Sequence, residues 1–147
     1  MRMKVKRFIN DHPRRARKLV RANAGDTIDH ARKHQLVVAR GKLPRDTRFT
    51  IEEGVELNPA TSRMETNPLL LNITATDREG NDAELPPDAL TLRICFADVE
   101  PPVDEADLVI LRVTSGEELA TRIADGYAEA ELERLSTYTL AVPFRSQ

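Results

Sequence analysis

From Gln35 onward the chain is built of short runs rich in Leu, Val, Ile and Thr, separated by Gly, Pro, Asn and Asp, which is the punctuation of strands and turns. The runs predict strands at Leu36 to Arg40, Arg48 to Ile51, Leu69 to Thr76, Leu90 to Ala97, Leu108 to Thr114 and Tyr138 to Phe144, with Arg78-Glu79-Gly80-Asn81-Asp82 as a loop tip. In the last run Tyr138, Leu140, Val142 and Phe144 alternate with Thr137, Thr139 and Ala141. Such alternation buries one face and wets the other, as in antiparallel sheets.

Residues 118 to 133 carry two patterns. Leu119, Ile123 and Tyr127 at spacings of four, in an Ala- and Glu-rich stretch, suit a helix. Asp125-Gly126 suits a two-residue hairpin turn, which would set Ile123 opposite Ala128, Thr121 opposite Ala130 and Leu119 opposite Leu132, with Arg122 against Glu129 on the other side. The turn signal favours the hairpin.

The N-terminal part reads differently. Met1, Met3 and Val5 alternate with Arg2, Lys4 and Lys6, which predicts a short amphipathic strand with no evident partner in the sequence. Asn10-Asp11-His12-Pro13 resembles a helix start and Gly25 a stop, so a basic helix is expected over residues 13 to 24. Its apolar stripe is narrow, formed by Ala16, Leu19, Val20 and Asn23, with Arg14, Arg15, Arg17, Lys18 and Arg21 around it. A helix of this length is marginal alone and must be ordered by a partner or by its own domain. The expected architecture is therefore mainly β: an antiparallel β sandwich or barrel over residues 35 to 147, preceded by an arm over residues 1 to 34 with a short strand and one basic helix. The 147 residues suit one domain plus an arm.

Charge sharpens this division. Residues 1 to 48 hold 15 Lys/Arg against 4 Asp/Glu, and residues 49 to 147 hold 7 against 20, so a net charge of −2 conceals two bodies of opposite sign. Arginine outnumbers lysine 17 to 5, which favours bidentate contacts to carboxylate or phosphate. Such a chain is suited to docking.

Candidate chemistry is sparse. His30 and His34 stand four apart, the spacing by which one helix can hold zinc, and Asp26 lies four earlier. Three ligands at that spacing span ~12 Å along a helix, too far to converge, and Arg32 and Lys33 between the histidines repel a cation. No metal or other cofactor is expected. Asp98, Glu100, Asp104, Glu105 and Asp107 offer hard oxygen ligands, but Pro101-Pro102 interrupts them and the calcium-loop spacing is missing. The lone Cys95 excludes an intramolecular disulfide. The serines at 62, 115, 136 and 146 lack a nucleophile elbow, all three histidines lie in the basic part, and there is no phosphate-binding glycine loop, so no enzyme is expected. Apolar runs reach only about four residues, as in Leu108-Val109-Ile110-Leu111, so no signal segment or membrane span is expected.

The basic arm supports three readings. It can dock on protein subunits, with Arg2, Lys4, Lys6, Arg7, Arg14, Arg15, Arg17, Lys18 and Arg21 meeting an acidic surface, such as Asp98, Glu100, Asp104, Glu105 and Asp107 of another copy, while the strand of Met1, Met3 and Val5 adds to that neighbour's sheet. It can bind nucleic acid through phosphates, without sequence preference. It can also fold back on its own acidic body. The first uses the arm, its strand and the acidic core together, and is the expected function: a non-enzymatic assembly protein. This layout, an arm over residues 1 to 24 and a β body from about 35 to 147, resembles the auxiliary capsid proteins of tailed bacteriophages, also called decoration or cement proteins. The resemblance implies a non-enzymatic protein that oligomerises and clamps neighbouring capsid subunits; with no signal segment or membrane span in the sequence, the expected location is the cytoplasm or the virion and not a membrane.

Overall fold

A computed structural model describes residues 4–5, 15–30, 34–55, 64–66, 69–96, 99–100 and 107–143. The strands, in chain order, are β1 (Lys4–Val5), β2 (Arg15–Val20), β3 (Asp26–Asp29), β4 (Gln35–Val38), β5 (Thr47–Val55), β6 (Met64–Thr66) and β7 (Leu69–Thr76). They continue as β8 (Leu90–Cys95), β9 (Val99–Glu100), β10 (Val109–Arg112), β11 (Glu117–Leu119), β12 (Arg122–Ala124), β13 (Tyr127–Leu132) and β14 (Thr137–Pro143). Among the described residues there is no α-helix. The protein is mainly β, as its texture predicts, and sandwich-like.

Two antiparallel sheets face each other. One runs β11-β10-β14-β7-β5-β2, with β6 beside β14, and the other runs β12-β13-β8-β4-β3. The inner faces are apolar because every second residue points inward. Ile28, Leu36, Leu92 and Ala130 form one row across the second sheet, strand by strand, and all are buried. Ile51 and Ile73 stand opposite each other on the first sheet, as do Ile110 and Leu140. Phe49 and Tyr138 are the largest side chains in this core. The Tyr138 hydroxyl stands 2.5 Å from the Arg134 carbonyl, to which it donates across the bend into β14. That is the bond that pins a tyrosine corner in a sandwich.

The sheets are tied at both lateral margins, because consecutive strands cross from one to the other. At one margin β2 leads into β3, and Lys18 Nζ bonds Asp26 Oδ1 at 2.9 Å over the gap. The chain passes close by there: a Cβ at Gly25 would lie 3.0 Å from the Arg40 backbone nitrogen and would crowd it. At the other margin β11 leads into β12 through Ala120-Thr121, where the Thr121 hydroxyl donates to the Leu119 carbonyl and accepts from the Ile110 N–H.

The basic helix expected over residues 13 to 24 is replaced by a strand. β2 pairs antiparallel with β5 over six positions, from Arg15↔Glu52 to Val20↔Thr47. In a strand Leu19 and Val20 must part, and they do: Val20 is 1% exposed and Leu19 43%. The long-range ladder outweighs a helix whose apolar stripe was too thin to dock. Residues N-terminal to position 35 thus supply edge strands to both sheets.

The ambiguous stretch is a hairpin. Asp125 and Gly126 have φ of 53° and 82°, the left-handed pair of a two-residue type I′ turn. The register Arg122↔Glu129, Ile123↔Ala128 matches the sequence pattern. It stops there, because Leu119 has crossed to the first sheet and pairs with Ile110 and not with Leu132.

Candidate functional site

The sequence marks a basic and an acidic surface, and the fold treats their residues unequally. Arg2, Lys6, Arg7 and Arg14 lie outside the described residues, as do Asp98, Asp104 and Glu105. Lys4 is on β1 and Glu100 on β9, and these two strands form a separate two-stranded antiparallel sheet with Lys4↔Glu100 and Val5↔Val99 in register. Lys4 and Val5 of the basic N-terminal part are therefore laid backbone to backbone on Val99 and Glu100 of the same chain. Asp107, at the far end of that acidic run, is half-buried.

The remaining basic residues sit on and just beyond β2. Arg15 is neutralised by Glu52 on β5, with Nη2 to Oε2 at 2.5 Å, and Lys18 by Asp26. The Lys18 ammonium, then the Thr27 N–H, holds the Asp26 carboxyl below its ordinary value. Arg21 lies near Asp46, whose carboxyl is held low first by the Ala22 N–H at 2.8 Å and then by Arg78. Arg17 points from the outer face of the first sheet, in register with Thr50, with Arg48 two residues away on β5. Both arginines are exposed, and neither has an ion pair among the described residues.

The histidines are structural neighbours in a way their spacing does not show. His30 and His34 close the hairpin of β3 and β4, with the His30 N–H donating to the His34 carbonyl at 2.8 Å, and their rings stack with centroids 5.5 Å apart. Glu53 reaches them from the inner face of β5, in the opposite sheet, with Oε1 at 3.6 Å from His30 Nε2. Both of those side chains are wholly enclosed. His34 Nδ1 accepts the Cys95 backbone N–H at 3.1 Å, so that nitrogen carries no proton and the ring's proton is on Nε2. The group fastens one sheet to the other; the Cys95 thiol takes no part in that bond. Among the described residues no three His, Cys, Asp or Glu side chains are placed to hold a metal.

Two further features join parts of the chain that are distant in sequence. Across the outer face of the second sheet runs a polar ladder that touches all five strands. Arg122 Nη2 lies 3.7 Å from Glu129 Oε1, Arg93 Nε donates to Glu129 Oε2 at 2.6 Å, Arg93 also bonds Gln35, and Gln35 Nε2 donates to Asp29 at 2.8 Å. The Arg93 guanidinium covers the Tyr127 ring at 4.1 Å. Around the β11–β12 crossing lies an open cleft of about 630 Å³, walled by β11, β12 and the end of β13 and floored by Arg112 and Tyr138. Glu133 and Arg134 separate it from an apolar pocket of about 250 Å³ formed by Ala83, Leu85, Pro86, Leu90, Leu132 and Leu135.

The chain matches no protein-family model, no curated protein and no solved structure.

Proposed function

We propose that this β sandwich is a non-enzymatic assembly protein that docks on neighbouring protein subunits, other copies of itself or a shell protein, through its basic N-terminal arm, as a capsid decoration protein does. The observation that carries the reading is the β1–β9 pairing, which matches the basic end of the chain to its acidic segment by backbone register as well as by sign. That small sheet is separate from both main sheets. A ladder of two residues per strand is marginal on its own, so the same pairing can pass from within one chain to between chains at little cost. Complementary surfaces on one chain then give a head-to-tail contact that closes into a ring or tiles a surface.

The test is size-exclusion chromatography with light scattering at low and high salt, on the natural chain and on a variant with Arg2, Lys4, Lys6 and Arg7 changed to Glu. A salt-sensitive oligomer that the variant loses, with its β circular dichroism intact, is the expected result. A monomer at all concentrations that also fails to bind a shell partner overturns it. Arg17 and Arg48, adjacent and without ion pairs among the described residues, favour a second reading in which that sheet face binds nucleic-acid phosphates. Because the chain has no Trp and two Tyr, co-eluting nucleic acid would raise the 260 nm absorbance plainly and identify that outcome.

A further inference from the structure

The cleft at the β11–β12 crossing has three properties that belong together. First, its charge is unbalanced by construction. Four carboxylates elsewhere on the surface are matched, Glu52 with Arg15, Asp26 with Lys18, Asp46 with Arg78 and Asp88 with Lys42, whereas the others that lack an ion pair among the described residues, such as Glu79, Glu84 and Asp125, do not line this cleft. In the cleft Arg112 is committed to Ser115 and Glu117, and Arg122 to Glu129. Glu118, Glu131 and Glu133 are exposed on its walls, and among the described residues none of them has an ion pair. Arg134 is the one remaining cation of the lining. Second, an apolar pocket of about 250 Å³, with room for an aliphatic side chain, lies next to the cleft, and Glu133 and Arg134 line both. Third, β11 and β12 are the terminal strands of their sheets, three residues each, and among the described residues nothing pairs with their outer edges. Backbone donors and acceptors are therefore on offer beside the carboxylates and the pocket.

We propose that this cleft is a docking site for an extended basic peptide segment of a partner protein, one that alternates Lys or Arg with aliphatic side chains. Such a segment would add its backbone to the free edge of β11 or β12. It would set its basic side chains against Glu118, Glu131 and Glu133 and place one aliphatic side chain in the pocket under Leu132 and Leu135. Strand addition supplies affinity, and the alternating pocket and carboxylates supply specificity. This site is distinct from the β1–β9 pairing and does not depend on the arm.

The probe is a fluorescein-labelled peptide, Arg-Val-Lys-Leu-Lys-Val-Arg, titrated with the full chain and read by fluorescence anisotropy. Two controls accompany it, one with Asp at the basic positions and one with Gly at the apolar positions. Saturable binding of the first peptide alone is expected. The double variant Glu131→Gln, Glu133→Gln should weaken it at least tenfold and flatten its salt dependence. Ala83→Leu, which fills the pocket while keeping the Ala83 backbone bond to Ala75, should weaken it several-fold without altering the salt dependence. Glu100→Gln, on β9, should leave it unchanged. Absence of saturation up to about 1 mM, the weak end of specific recognition, overturns the proposal. So does equal binding of the Gly control, which would mean charge attraction without a seat. Binding that Glu100→Gln abolishes and the cleft variants spare overturns it too, and would assign the peptide to the acidic strand that the arm uses.

Discussion

Removing one oxygen atom tests the margin at which β14 enters the core. Tyr138→Phe keeps the ring, which is 1% exposed, and deletes the hydroxyl that bonds the Arg134 carbonyl at 2.5 Å. A lost hydrogen bond that leaves a shielded acceptor behind costs about 1–2 kcal/mol, a fall in Tm of roughly 3–7 °C for a chain of this size. The pH dependence makes the test sharper. Burial raises the Tyr138 ionisation from 10 to about 12, more than Arg112 nearby lowers it. Above pH 10 the unfolded chain releases this proton and the folded one keeps it, so the stability it contributes is whole below pH 10 and is lost as pH rises toward 12. The loss approaches about 1.4 kcal/mol per pH unit. Urea unfolding followed by far-ultraviolet circular dichroism at pH 8, 10 and 11 should therefore show the natural chain more stable at pH 8. That advantage should shrink by about 1 kcal/mol between pH 10 and 11. Other groups titrate alike in both chains and cancel. An advantage that holds constant to pH 11, or a pH 8 difference under about 0.5 kcal/mol, would refute the argument that the hydroxyl is both buried and bonded.

Other outcomes follow from the remaining geometry. Glu53→Ala removes an enclosed polar partner from beside His30 and should cost about 1–3 kcal/mol in urea unfolding, whereas Glu52→Ala, on the exposed face of the same strand, should cost under about 1 kcal/mol. Gly126→Val forces a β-branched residue to a φ of 82° and should destabilise by about 1–2 kcal/mol, read as a drop in Tm with the β spectrum retained. Asp26, Asp46 and Asp88 are all held below their ordinary 3.8, by Lys18, the Ala22 N–H and Lys42 in turn, so their stabilising effect is complete above that value and fades as pH falls through the lowered ones. Asp46→Asn should accordingly flatten the fall in Tm below pH 4 compared with the natural chain.

What the sequence made legible is what neighbouring residues decide. The strand Leu69 to Thr76 has the bounds its composition predicts, and Asp125-Gly126 announced its turn, because a two-residue loop with both φ positive accepts few side chains. Pro13 and Gly25 frame β2 as a helix in the local pattern, while the partner that makes it a strand begins more than two dozen residues later, at Thr47. The spacing of His30 and His34 suggested a helix face. Their actual neighbour, Glu53, belongs to the opposite sheet, and no local pattern announces a carboxylate arriving from there. The cleft is assembled from the neighbourhoods of Pro87, Ser115 and Glu131, three stretches that become adjacent only when both sheets are in place.

The two margins where the chain crosses between sheets are also the edges of both main sheets. β11 and β12 are three residues each, while β2 is six residues long, has no strand on its outer side among the described residues, and carries the exposed Arg15, Arg17 and Lys18. Long bare edges are what let sandwiches fuse side by side into fibres. Short strands at one margin and a charged strand at the other are the devices by which a sandwich resists such fusion.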